Sequence, residues 1–161
     1  MDTSPEKYVR KLTEVSQIKY SLMQQIFELT KLQTDALSKE NLDELGQIIE
    51  KKQKVIDQIA PYDTDFEVYF KRLKYELQVE SLDELKNTKI DGIKELKIVI
   101  DSIVRIMGQI NEIDKKNQSM AKEQRDKLSL EITKIRQGKT VNSAYNPKPI
   151  TTNSAMFDTK K

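Results

Sequence analysis

The chain has 161 residues, of which 37% are apolar and 34% charged, with 28 basic side chains against 26 acidic ones. It contains no Cys, His or Trp, which excludes a disulfide framework, a thiolate nucleophile, the usual zinc and iron–sulfur sites and the commonest general base. A net charge of +2 is too balanced for an electrostatic nucleic-acid binder, and the length suits one domain better than two.

Four glycines and four prolines leave little material for turns, so long helices with few connections are expected. The opening residues, Met1 to Lys7, lack the charged-then-apolar order of a secretory leader. No apolar run exceeds three residues, Ile98-Val99-Ile100 being one, and none could span a bilayer. A soluble, cytoplasmic protein without membrane insertion is expected.

The first helix starts at Ser4 as N-cap, with Pro5 at its first position and Glu6 near the positive end of the dipole. Its apolar stripe reads Tyr8, Leu12, Val15, Leu22, Ile26, Leu29 and Ala36. Lys19 and Gln33 interrupt it, with Ile18 and Leu32 one position off. The spacing predicts roughly thirty residues, about 50 Å at a 1.5 Å rise. Ser38-Lys39-Glu40-Asn41 breaks the pattern, and Asn41 with Glu44 reads as a variant capping box. A second helix follows with Leu42, Leu45, Ile49, Ile56 and Ile59 on one face, widened by Ile48 and Val55. So short a break makes the two helices antiparallel neighbours. Pro61 is expected to end the second helix.

Thr64-Asp65-Phe66-Glu67 is a further capping box. It is expected to open a shorter helix with Phe66, Phe70, Leu73 and Leu77 on one face. Ser81-Leu82-Asp83-Glu84 repeats the signal, and leads either to a short helix ending near Asn87 or to the start of one very long helix. Gly92 weakens the continuous version by roughly 1 kcal/mol. From Thr88 the seam reads Ile93, Leu96, Ile100, Ile103, Met107 and Ile110. Beyond it Asp114, Asn117 and Gln124 take seam positions, before Leu128, Ile132 and Ile135 return at i, i+4 and i+7. Gly138 is expected to cap this last helix. Residues 138–161, with Pro147 and Pro149 and four lysines against one aspartate, have no period and form a tail expected to be disordered alone.

Four features invite a functional reading. Tyr62, Phe66, Tyr69, Phe70 and Tyr75 could line an aromatic pocket, although Phe66, Phe70 and Leu73 already stand at core spacing. Asp43-Glu44, Asp83-Glu84 and Glu112 with Asp114 could serve as carboxylate pairs. Two of these pairs open helices, where the dipole accounts for them, and helical di-metal sites also want histidine. Lysine–glutamate abundance on the helices reads as a solvated face with i, i+4 pairing, and the tail lysines lack the aromatics or arginines of a single-strand binder. The end of the last helix is more informative. Leu128, Leu130, Ile132 and Ile135 lie past the reach of a thirty-residue partner, as in a docking surface or a dimer seam.

Three segments carry a resemblance. Leu29-Thr30-Lys31-Leu32-Gln33-Thr34-Asp35-Ala36-Leu37, Asp43-Glu44-Leu45 and Glu50-Lys51-Lys52-Gln53-Lys54-Val55-Ile56 resemble the opening hairpin of FlgN-type flagellar export chaperones. Ile110-Asn111-Glu112-Ile113-Asp114 with Asn117 is similar to that family's Asn-punctuated last helix. Gly138-Lys139, Ala144-Tyr145 and Phe157-Asp158-Thr159-Lys160-Lys161 resemble the ending of its clostridial-looking members. The resemblance implies a cytoplasmic, substrate-specific chaperone that binds hook–filament junction proteins, keeps their terminal segments from premature assembly and delivers them to the type III export gate. It leaves direct contact with export-gate components open. It places the client on the C-terminal region and supplies no catalytic residue.

The expected fold is therefore all-α: an elongated antiparallel helical bundle or coiled coil over residues 1–137, with a long C-terminal helix and a flexible tail over 138–161. The expected client-binding residues are Leu128, Ile132 and Ile135 on the helix with Tyr145, Met156 and Phe157 in the tail. No cofactor, metal or enzyme activity is expected, and the chain is expected to be a monomer or weak homodimer. The competing reading is a coiled-coil structural adaptor or oligomeric scaffold.

Overall fold

The computed structural model describes residues 4–85 and 87–143. These form four helices, α1 (Ser4–Ser38), α2 (Leu42–Leu77), α3 (Leu82–Leu85) and α4 (Ile93–Ser143), with no strand among the described residues. The fold is all-α, a helical bundle with a long last helix. The described residues divide into two units, one up to Met120 and one from Ala121.

The α1–α2 turn is built by local chemistry. Glu40 takes a left-handed conformation at φ 54°. Its N–H donates to the Leu37 carbonyl at 3.0 Å, and the Asn41 N–H donates to the Ala36 carbonyl at 3.0 Å. This paired closure is the Schellman arrangement, here without its customary glycine. Asn41 then caps α2: its Oδ1 accepts from the Glu44 N–H at 3.1 Å, and its Nδ2 donates to the Glu44 carboxylate at 3.1 Å.

Helix α2 does not end at Pro61. It runs through the proline to Leu77, so no separate helix starts near Thr64. The Thr64 hydroxyl donates to the Ala60 carbonyl at 3.2 Å instead of capping a new helix. An interior proline costs about 3 kcal/mol, because it removes one N–H and crowds the carbonyl four residues back. Pro61 and Asp57 both lie on the exposed face, while Ile59 and Tyr62 on either side hold the helix to the core. The helix stops instead at Gln78, left-handed at φ 55°, with the Val79 N–H closing onto the Lys74 carbonyl at 3.1 Å.

Of the two readings at Ser81, the short helix is the one adopted. Helix α3 ends at Leu85, and Gly92 at φ 92° separates it from α4. A Cβ on Gly92 would also come within 3.2 Å of Val9 Cγ1. At the other end, α4 passes through Gly138 to Ser143, so Gly138 is an interior helical residue and not a C-cap. The last helix therefore takes in the first residues assigned above to the tail.

Two apolar clusters fill the first unit. One joins Val9 and Leu12 of α1, Leu73 of α2, Leu85 of α3 and Ile93, Leu96, Val99 and Ile103 of α4. The other joins Leu22, Met23 and Ile26, then Val55 and Ile59, then Ile106 and Ile110. The pairing of early with late residues makes α2 antiparallel to α1, and α4 parallel to α1. Each fully buried Leu here contributes roughly 1.5–3 kcal/mol.

The phase of two seams differs from the spacing-based expectation. In the first half of α2 the buried residues are Ile48, Lys52, Val55 and Ile59, with Leu73 further along, while Leu42, Ile49 and Ile56 are exposed. In α4 Val99 and Ile106 are buried, Ile100 is half-buried and Met107 exposed. The reason in α2 is that Ile48-Ile49 and Val55-Ile56 stand side by side: either neighbour completes a helical stripe, and packing against the other helices buries the first of each pair.

Candidate functional site

The five clustered aromatics form packing, not a pocket. Tyr8 and Tyr69 meet at a tilt of 38° with centroids 6.2 Å apart, and Phe66 and Phe70 lie 5.7 Å apart. All four rest against the first apolar cluster, and Tyr62 rests against the second. Tyr75 is the exception at 79% exposed. The acidic pairs are likewise structural. Asp43-Glu44 and Asp83-Glu84 occupy first turns of helices, and Asp114 is the partner of Lys52.

The positions where the seams turn polar come together in the first unit. Lys52, 9% exposed, places its ammonium 2.9 Å from Gln33 Oε1 and 2.7 Å from Asp114 Oδ1. Asn117, 4% exposed, accepts from the Thr34 hydroxyl at 2.7 Å and donates from Nδ2 to the Thr30 carbonyl at 3.2 Å. Thr30 is fully buried, its hydroxyl donating to the Ile26 carbonyl at 2.6 Å. One layer thus draws polar groups from all three long helices, and no buried side-chain polar atom among the described residues lacks a partner. The other interruption in α1, Lys19, pairs with Asp63 of α2 at 2.6 Å. Gln33, Asp114 and Asn117 each stand out in sequence as an interruption. Lys52 escapes sequence reading because nothing local distinguishes a buried lysine from a solvated one.

In the second unit α4 has a different surface. Leu128, Ile132 and Ile135 fall on one helical face at i, i+4 and i+7. Leu128 is 44% exposed, Ile135 58%, and Ile132 is half-buried. Leu130 is exposed on another side of the same segment. These apolar side chains alternate with Arg125, Lys127, Glu131, Lys134 and Arg136. The result is an apolar ridge with charged flanks, a form suited to binding another protein through buried aliphatic area and a polar rim. Three of the six expected client-binding residues are therefore brought to one face. Tyr145, Met156 and Phe157 lie outside the described residues.

No helix among the described residues is long and apolar enough to cross a membrane. A family model described as FlgN protein matches residues 1–151. No curated protein and no solved structure matches the chain.

Proposed function

Because the chain belongs to the FlgN family of flagellar export chaperones, we propose that it is a cytoplasmic chaperone for hook–filament junction proteins. It holds their terminal segments from premature assembly and hands them to the type III export gate. The family match over residues 1–151 carries this reading, and the ridge of Leu128, Ile132 and Ile135, exposed at its two ends, supports its mechanism.

The client lies along that ridge. The segment beyond α4 closes over it through Tyr145, Met156 and Phe157, as a tail beside the helical body. A chaperone of this kind must hold firmly and release on demand. A side chain of this size contributes roughly 1.5–3 kcal/mol when fully buried, so three partly exposed ones offer about 2–4 kcal/mol. Ordering the tail takes back part of the gain and keeps binding reversible.

Light scattering after size-exclusion chromatography, with the purified chain alone and with each junction protein, tests the proposal. A discrete complex with one junction protein is expected, weakened when the chain is truncated after Ser143. Self-association through α4 with no junction-protein complex would favour the oligomeric scaffold instead.

A further inference from the structure

We propose that the polar layer of Gln33, Thr34, Lys52, Asp114 and Asn117 is a reversible latch. Residues 111–120 of α4 open at it from the α1–α2 hairpin as a unit, while the apolar core beneath residues 93–110 stays closed. The inference concerns the first unit alone and does not rest on the identity of any client.

Two contrasts along α4 carry it. From Ile93 to Ile110 the helix buries six aliphatic side chains, Ile93, Leu96, Val99, Ile103, Ile106 and Ile110. From Asn111 to Met120 it buries only Asn117, with Ile113, Asp114 and Met120 half-buried. Opening the first stretch exposes apolar area with nothing in water to replace the lost contacts. Opening the second exposes an ammonium, a carboxylate, two carboxamides and a hydroxyl, each of which water solvates well, with only Ile113 and Met120 half-buried beside them. What is lost is at most the net gain of four polar contacts, small beside the burial of six aliphatic side chains. The Thr34 hydroxyl even has a second acceptor waiting, the Thr30 carbonyl at 3.3 Å.

The contacts are also specific. Asn117 meets one hydroxyl and one carbonyl, and Lys52 meets one amide oxygen and one carboxylate oxygen. A shifted register would leave these groups unpaired, so the segment returns to the same place each time it closes. Buried polar residues are known to set register in this way at some cost in stability. Weak closure with a single closed geometry is what a latch requires.

The chain contains no cysteine, so a single introduced thiol reports its own site. Ser16 and Thr30 are both buried on one face of α1, two heptads apart. Ser16 lies between the two apolar clusters, and Thr30 lies under the polar layer. In the full chain, modification of the Thr30→Cys thiol by an aromatic disulfide reagent should run roughly 100-fold faster than that of Ser16→Cys, as expected for sub-global against global opening. Adding Asn117→Ala should accelerate only the Thr30→Cys reaction. Adding Lys52→Met, Asp114→Leu and Asn117→Leu together should slow it to the Ser16→Cys rate. A ratio below tenfold, or an unchanged Thr30→Cys rate in the apolar variant, overturns the proposal. Hydrogen exchange of the unmodified chain gives a check that needs no substitution. Residues 112–120 should exchange at denaturant concentrations that leave 96–106 protected, and equal protection of the two segments would also overturn it.

Discussion

Replacing Asn117 by alanine tests how the helices are keyed to one another. The side chain is 4% exposed and makes two hydrogen bonds, to the Thr34 hydroxyl at 2.7 Å and to the Thr30 carbonyl at 3.2 Å. Each such bond contributes about 0.5–1.5 kcal/mol net, so their loss costs about 1–3 kcal/mol. An abandoned buried partner would add to that. Here the two abandoned groups lie 3.3 Å apart, and the Thr34 hydroxyl turns to the Thr30 carbonyl. This relief keeps the total near the lower half of the range, about 1–2 kcal/mol. Urea denaturation followed by circular dichroism should show the midpoint falling with little change in slope. Thr34→Val should weaken the effect of Asn117→Ala, with a coupling of about 0.5–1.5 kcal/mol in the double-mutant cycle. A change under 0.5 kcal/mol for Asn117→Ala, or strictly additive single effects, would refute the geometry of the layer.

Three further outcomes are expected. Leu12→Ala, at a fully buried position, should cost about 2–5 kcal/mol by denaturation, while Leu32→Ala on the exposed shoulder of α1 should cost under about 1 kcal/mol; equal losses would mean that the α1 seam is misassigned. Glu40→Gly should stabilise the chain by about 0.5–1 kcal/mol, since only glycine takes φ 54° freely, and a lowered thermal midpoint would contradict that turn. Pro61→Ala should raise stability by about 1–2 kcal/mol, by restoring an N–H inside a helix that already continues through the site; destabilisation would show that the proline is built into the helix path.

Local chemistry was legible in the sequence, and the balance between competing faces was not. Asn41 with Glu44 marks the start of α2 because the cap is made by residues three apart. The seam phases failed where two aliphatic residues stand side by side: Ile48-Ile49, Val55-Ile56 and Val99-Ile100. Either neighbour completes a helical stripe, and only packing against the other helices buries the first of each pair. Pro61 misled for a related reason. Its local penalty of about 3 kcal/mol is outweighed by core contacts at Ile59 and Tyr62 that propensity does not contain. Gly138 read as a cap, yet α4 continues past it. A single glycine interrupts a helix by only about 1 kcal/mol. In the polar layer the interruptions in α1 and α4 were visible one at a time. Their common partner Lys52 was not, because its burial depends on Gln33 and Asp114, 19 and 62 residues away. The spacing of Leu128, Ile132 and Ile135 was legible because it follows from the pattern along one helix.

The central claim, that this chain holds a flagellar client on that ridge, is tested most directly by calorimetric titration. The unmodified chain and the double variant Leu128→Ala with Ile132→Ala are each titrated with the junction protein that forms the complex. Leu128 is exposed and Ile132 only half-buried, so both add little to folding, and helicity and denaturation midpoint should be nearly unchanged. Affinity should fall by about 10- to 100-fold, matching the loss of roughly 1–3 kcal/mol of aliphatic burial. Unchanged affinity in a folded double variant would contradict the account and place the client elsewhere on the chain.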